Sequence, residues 1–342
     1  MIFIGDIACP REKVDKFIEA IRQVSLFHDE VIIANFEATF IGQKKEKPSC
    51  LYNDIRSLDG FQNAKKVIVS LANNHMYDYP GQIIPTVHEL ERQGVGSFGL
   101  VENDSVRPFE FYDNEQKYAF FGHCWRLYTH TNTNKENNIR VVDVPYDHFA
   151  KIVEQYVNSH LDTKVYCMMH WNYDLETLPF PMHVKYARHL IDIGVAGVVG
   201  SHSHVVQGGE LYRGKPIMYG MGNFYLPSGI YFNGTLAYPE TSRLTCGLWL
   251  DGGQIKIIWL NTDKEDSGAV DVVCVEDFAS SNRLKIISPF RKKKEKEYID
   301  FFRHNRKKKF LVPVFDEYKG VLFLIKERLA ILRIKIIKTI KK

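Results

Sequence analysis

Short apolar, β-branched runs of strand length recur along the chain: "MIFIG", "EVIIANFE", "KVIVSLANN", "KYAFFGHC", "TKVYCMMHW", "AGVVGSH" and "KPIMYGMGNF". "CGLWLDGGQIKIIWLN" reads as a hairpin closed by "DGGQ". Between the runs lie segments whose apolar residues return every three or four positions. In "REKVDKFIEAIRQVSLF", Val14, Phe17, Ile18, Ile21 and Val24 fall on one helical face, and "PMHVKYARHLIDIG" ends at Gly194, as helices often do. Strand alternates with helix, so the body is predicted to be α/β.

The carboxyl ends of such strands are where open α/β sheets place ligands. "IGD" ends in Asp6, "IIANFE" in Asn35 and Glu37, "SLANNH" in Asn73, Asn74 and His75, and "CMMHW" carries His170. "VVGSH" delivers His202, with His204 two positions on. Each run hands over a carboxylate, an amide or an imidazole at the same end.

Asp6, Glu37, Asn74, His170, His202 and His204 make a mixed oxygen and nitrogen donor set, which suits Mn, Fe or Zn better than Ca, Mg or a thiophilic metal. The set is large enough for one or two divalent ions. In a two-ion centre, with ions roughly 3.5–4 Å apart, a water is acidified while both ions clamp the phosphoryl oxygens. Glu37 is the candidate bridge. His75, beside Asn74, is the candidate general acid for the leaving oxygen, and Asp78 would orient it or raise its pKa. Asn35 and Arg126, the latter in "GHCWRLY", are candidates for substrate contact.

Taken singly, these residues have ordinary structural explanations. Asp6 before "IACPREKVDKF" fits a helix cap, Asn73 and Asn74 fit a turn, His170 fits a core imidazole bonded to a carbonyl, and Arg126 fits a surface ion pair. Recurrence at one strand end after another favours a shared site. His123 and Trp171 are expected to be packed, and His88, His183 and His189, in helical patterns, are assigned no role.

Composition adds a division along the chain. The 342 residues are 45% hydrophobic with a net charge of +4, enough for a full core. Residues 283–342 carry 20 Lys and Arg against 6 Asp and Glu, a net of +14, whereas residues 1–282 carry 25 against 35, a net of −10. This predicts a domain over residues 1–262, followed by a linker and basic amphipathic tail over residues 263–342. In the tail, Leu322, Ile325, Leu329, Leu332 and Ile336 recur at helical spacing among Lys326, Arg328, Arg333 and Lys335. Such a helix suits an anionic membrane surface, a protein partner, or packing back on the body. No nucleic-acid motif accompanies the basic residues, so no specific nucleic acid is expected. The six cysteines lack C-x-x-C spacing, which argues against a zinc ribbon or disulfide framework. No run approaches the roughly 18 apolar residues of a spanning helix, and "MIFIGDIACP" opens as a strand. The expected location is therefore cytoplasmic, and the basic tail offers peripheral attachment to the inner face of the cell membrane as one option.

In order, "GD", "NFE", "ANNHMYD", "HWNYD", "GSHSHVVQ" and "YGMGNF" resemble the motifs of the CapA family, the poly-γ-glutamate capsule synthesis proteins, within the calcineurin-like metallophosphoesterase superfamily. The resemblance spans about residues 1 to 262. It implies a four-layer α/β/β/α sandwich with a metal site on the loops at the carboxyl ends of two central sheets. It places Asp6, Glu37, Asn74, His170, His202 and His204 on the family's metal-site positions and His75 on its catalytic histidine. Asn223, in the shared "YGMGNF", is implied to support a ligand or contact substrate. The chain departs from the wider superfamily's Asp-x-His at Ala8, a loss that CapA-type sequences share. It also departs from the family's "HWG-x-E", with Asn172 for glycine and Asp174 for glutamate.

The resulting expectation is a metal-dependent hydrolase or phosphoesterase of the CapA type, acting in capsular or envelope polymer biosynthesis on an anionic or capsular-polymer-related substrate. Two alternatives accompany it: a non-catalytic accessory or scaffold component of a capsule polymer machinery, and a nucleotide or nucleic-acid phosphodiesterase.

Overall fold

The apolar runs assemble into two stacked sheets with helices on their outer faces. This is the arrangement in the computed structural model of the protein, which describes residues 1–42, 47, 50–129, 139–262, 270–307 and 312–340, with side chains to 336. The first sheet runs in the order Val270–Asp277, Gln254–Thr262, Leu244–Asp251, Ile2–Ile7, Val31–Phe36, Lys66–Ser70, Gly96–Phe98, and Asn223–Tyr225 also pairs with Ile2–Ile7. The second runs Gly209–Tyr212, Lys215–Met218, Gly197–Ser201, Thr163–His170, Gln116–Cys124, Phe109–Asp113. The strands from Ile2 to Phe98 are mutually parallel, as are those from Lys215–Met218 to Gln116–Cys124. The carboxyl ends of both parallel sets meet at one rim.

Both faces of each sheet are covered, so the strands read as nearly continuous apolar runs. Phe3, Ile33 and Ile68 point between the sheets, against Phe120, Tyr166, Met168 and Val199. Their neighbours Ile2, Ile4, Ile32 and Val69 point the other way, onto Val14, Phe17, Ile18 and Ile21 of the helix Val14–Arg22. On the second sheet, Phe121, Cys167, Met169 and Val198 pack on the helices Tyr146–Ser159 and Pro181–Asp192. The order of layers is α/β/β/α. The predicted hairpin closes between Asp251 and Gln254 through Gly252 and Gly253, at φ +53° and +90°, a two-residue turn that glycine adopts at little steric cost.

Beyond residue 262 the chain packs into this body, whereas the charge step predicts an appendage. Residues 263–269, the expected linker, lie outside the described residues. Val270–Asp277 is the edge strand of the first sheet. Phe278 and Leu284 enter the core between the sheets, and Phe290, Tyr298, Phe302, Phe315 and Phe323 enter the core of the second sheet and its helices. Most of the described basic residues stay on solvent faces while the aromatic residues interleaved with them supply the buried face, so the charge step marks no step in packing. The tail helix spans Val321–Ile340. It docks through Phe323, Glu327 and Ala330, and the stripe Leu322, Ile325, Leu329, Leu332 and Ile336 faces outward, 48–71% exposed. Among the described residues no helix is long and apolar enough to cross a membrane.

Candidate metal centre

The site begins at a crossing of two backbones. A Cβ on Gly5 would stand 1.9 Å from Gly222 O, so only glycine lets the first strand pass there. The strand's register shifts between Ile4 and Asp6, which sets Asp6 beside Asn35 on one neighbouring strand and Asn223 on the other. Asp6 is fully buried. Its Oδ1 accepts a 2.8 Å hydrogen bond from Asn35 Nδ2, and its Oδ2 accepts one of 3.3 Å from the His202 backbone N–H.

The same Asn35 amide also donates to Glu37 Oε2 and thereby holds two carboxylates side by side. The other oxygen, Glu37 Oε1, is buried and accepts no hydrogen bond among the described residues. It lies 3.6 Å from His170 Nε2 and 3.8 Å from His75 Nε2. Asn73 is structural: it caps the turn Asn74–Tyr77 by accepting from Met76 N–H at 3.2 Å and donates to Phe36 O at 2.7 Å. That turn presents Asn74, whose Oδ1 is 2.8 Å from His170 Nε2, and His75.

His202 and His204 follow the last residue of their strand. A continuing strand would put i and i+2 on one face. Instead both residues adopt left-handed backbone, φ +84° and +57°, at a cost on the order of 1 kcal/mol or more each. The rings separate, with centroids 5.9 Å apart. His202 Nδ1 turns to His170 Nε2 at 3.0 Å, while His204 Nδ1 reaches Asn223 Oδ1 at 2.7 Å and Asp6 Oδ2 at 3.4 Å.

Burial pushes the Glu37 carboxyl up to about 8, reinforced by the adjacent Asp6 carboxylate. Burial works against His204, yet its hydrogen bond and charge pairing with Asp6 carry it up to about 9. Burial drives His170 well below, and His202 below, the usual imidazole range, which keeps both neutral. Burial also opposes protonation of His75, but the Asp78 and Glu37 carboxylates outweigh it and raise its pKa.

The donors fit a divalent cation. Ligand atoms of Glu37, His170 and His202 lie within 4.8 Å of one another, as do those of Asp174, His202 and His204. Among the described residues Glu37 Oε1 has no donor, and His202 Nε2 faces Asp174 Oδ1 at 3.0 Å. Carboxyl groups and imidazoles that converge with a buried oxygen left unpartnered are what a cation satisfies, once it displaces the protons that Glu37 and His204 hold. The cluster opens into a cleft of about 930 Å³ whose lining includes Asn74, His75, Asp174, His202 and His204, with Tyr128, Tyr173 and Tyr238 in its walls.

All six predicted donors, His75 and Asp78 thus come together. Asn35 and Asn223 are buried behind the donors and orient them; for Asn35 this differs from the substrate contact expected, and for Asn223 it matches ligand support, one of the two roles expected. Arg126 is exposed, and its charge is felt at Glu327 of the tail helix; it does not join the cluster. Asn172 stands at φ +68°, a left-handed position that glycine or asparagine tolerates, and its side chain points into the body. There it bonds Gln207 Oε1, the Phe180 N–H and His183 Nδ1 at 2.6–2.8 Å, so it leaves the cleft clear. Sequence reasoning missed Asp174 as a donor, although an acid four residues after His170 was a usable signal. Lys307 and Arg333 also line the cleft, and nothing local in their sequence announced it.

Fold and donor set together define an α/β/β/α protein with a candidate divalent-metal site where its two sheets share a rim. More narrowly, the chain belongs to the family described as "Bacterial capsule synthesis protein PGA_cap", whose profile matches residues 1–228. It is 26% identical over 248 residues to the PGA biosynthesis protein CapA of Bacillus subtilis (strain 168), covering 66% of this chain and 63% of that one. It is 24% identical over 251 residues to the capsule biosynthesis protein CapA of Bacillus anthracis, covering 67% and 60%. The chain therefore spans somewhat over half the length of these relatives. Among solved structures, a hypothetical protein from Thermus thermophilus is similar at TM-score 0.45 and 18% identity, over 81% of this chain and 98% of that one. The calcineurin-like phosphoesterase YfkN from Bacillus subtilis is similar at TM-score 0.41 and 10% identity, over 80% and 85%.

Proposed function

We propose that the protein is a metal-dependent phosphoesterase that serves capsular or envelope polymer biosynthesis and acts on an anionic, polymer-related substrate. The observation that carries this reading is the His75–Asp78 pair, seated beside Glu37 at the edge of a donor cluster that opens into a cleft. Asp6, Glu37, Asn74, His170, His202, His204 and Asp174 would hold one or two ions, and the mixed donor set favours Mn, Fe or Zn. A bound divalent ion would supply polarisation of a phosphoryl oxygen and acidification of a water. His75, whose pKa is raised chiefly by Asp78 against the effect of burial, is placed to give a proton to the departing oxygen from Nε2. Tyr128 and Tyr238 flank His202 and His204, with ring centroids 3.9 and 5.1 Å away, and narrow the entry of water. The names of the Bacillus relatives support the capsule setting. The outward apolar stripe of the tail helix among basic residues supports attachment to an anionic membrane surface.

Metal analysis of the purified protein, followed by a screen of phosphomonoesters and phosphodiesters in Mn²⁺, tests the reading. Bound metal is expected, with turnover that His204→Ala abolishes and that His75→Ala slows on esters with alkoxide leaving groups. A wild type that binds no metal and hydrolyses nothing sinks it in favour of a scaffold.

A further inference from the structure

The tail contributes a wall to the cleft that lies outside the family match, which ends at residue 228. Lys307, Val312, Arg333 and Ile334 line the cleft together with His75, His202 and His204. The register of the tail helix is fixed by Phe323, Glu327 and Ala330, which are buried at spacings of four and three. Arg333 and Ile334, three and four residues beyond Ala330, are carried to the same inner side. Arg333 is therefore presented to the cleft by a docked helix, not by a loop free to turn away.

One nitrogen of the half-buried guanidinium is not satisfied there. Arg333 Nε is buried from solvent and makes no hydrogen bond, and no ion pair of Arg333 occurs among the described residues. Its charge is felt at the phenol of Tyr173, which lines the same cleft. Lys307 is held in place by its backbone N–H, which donates to Glu176 Oε2 at 2.8 Å, while its side chain stays exposed at the cleft. A buried N–H without an acceptor is costly, and a planar guanidinium is matched by the paired oxygens of a carboxylate or phosphate.

We propose that Arg333, assisted by Lys307, forms a second anion-binding subsite, which takes a carboxylate or phosphate group of a substrate whose reacting group sits at the histidine cluster. This deepens the phosphoesterase reading and rests on it for the identity of the reacting group. The preferred substrate then carries at least two anionic groups, as a segment of a polyanionic polymer does.

The test is calorimetry on the full chain loaded with Mn²⁺, using propane-1,3-bisphosphonate, glutarate and methylphosphonate as probes. Arg333→Ala is expected to weaken at least one diacid tenfold or more and to leave methylphosphonate unchanged. Arg333→Lys recovers part of the loss, Lys307→Ala gives a smaller one, and Arg328→Ala, on the exposed side of the helix, gives none. The diacid that loses affinity identifies the group as phosphate or carboxylate. Three outcomes overturn the subsite: no preference of the wild type for either diacid over methylphosphonate, equal binding by wild type and Arg333→Ala, or equal loss for all three probes. Thermal melts of each variant separate lost binding from lost folding, with Arg333→Lys carrying the test if the alanine variant fails to fold. Binding is read without turnover, so an absence of hydrolysis in the substrate screen counts against the phosphoesterase reading alone.

Discussion

His75 Nδ1 lies 2.8 Å from Asp78 Oδ2, and the same carboxylate oxygen accepts the Leu51 backbone N–H at 2.7 Å. The carboxylate can only accept, so Nδ1 carries the proton and Nε2 is left facing Glu37 and the cleft. A general acid works while protonated, and its activity falls as pH rises through its pKa. Removing the Asp78 charge lowers the pKa of His75, so Asp78→Asn is expected to move the alkaline limb of kcat against pH to lower pH. His75→Ala is expected to slow esters with alkoxide leaving groups by roughly 10²–10⁴-fold and nitrophenyl esters, which need no proton, far less. An unshifted limb together with equal losses on both substrate types removes His75 from the acid role.

Cation binding is expected to be coupled to proton release. Without a cation, Glu37 holds its proton up to about 8 and His204 holds its own up to about 9. Both raised values mean that protons compete with metal below those pH values. Affinity for Mn²⁺ should therefore tighten from pH 7 to pH 9, by up to about tenfold per pH unit for each proton displaced. Calorimetry at pH 7 in two buffers of different ionisation enthalpy reads the protons directly. Asp174→Ala, which takes a carboxylate from the His202 and His204 group, should weaken uptake by that group while Glu37, His170 and His202 still bind. Uptake that is independent of pH contradicts the assignment of Glu37 and His204 as ligands.

The strand-end residues were legible because a parallel strand covered on both faces reads as an apolar run, and a polar residue at its carboxyl end stands out. Asp6, Glu37 and His170 are of that kind. The left-handed turn through His202 and His204 was not legible, because a histidine carries no mark of positive φ as glycine does. The role of Asn35 came out differently because an amide at a strand end reads the same whether it meets substrate or braces a carboxylate. The tail misled through its charge. Net charge reports on solvent-facing side chains, and Phe290, Phe302 and Phe315 show that aromatic residues among those charges belong to the core. Arg333 lies far along the chain from His75 and His202, so its place in the cleft exists only in the tertiary structure.

That packing bears on any attempt to remove the tail. Phe290, Phe302 and Phe315 are at most 1% exposed in the core that also holds Trp171 and Tyr186. Truncation after residue 282 is expected to give an aggregating or poorly folded body and not a soluble active one. The single change Phe302→Ala should cost about 3–5 kcal/mol, read as a lowered midpoint in urea. A truncated body that melts at the wild-type temperature overturns this placement.

Membrane attachment is better tested on the outer face of the tail helix, where substitutions leave the core intact. Leu322, Ile325, Leu329, Leu332 and Ile336 form an outward stripe beside exposed Arg328 and Lys335. Such a face lies in a headgroup layer with its apolar side inward, and each basic residue near an anionic surface adds about 1 kcal/mol. Full-length protein should float with vesicles containing anionic lipid and much less with neutral ones, and binding should fall as salt screens the charges. Ile325→Asp combined with Leu329→Asp should abolish flotation while the melting temperature and Mn²⁺ uptake stay at wild-type values, since neither residue touches the docked side set by Phe323, Glu327 and Ala330. Flotation that persists in this variant, or that is the same with neutral vesicles, would falsify the membrane role and leave a protein partner as the occupant of the stripe.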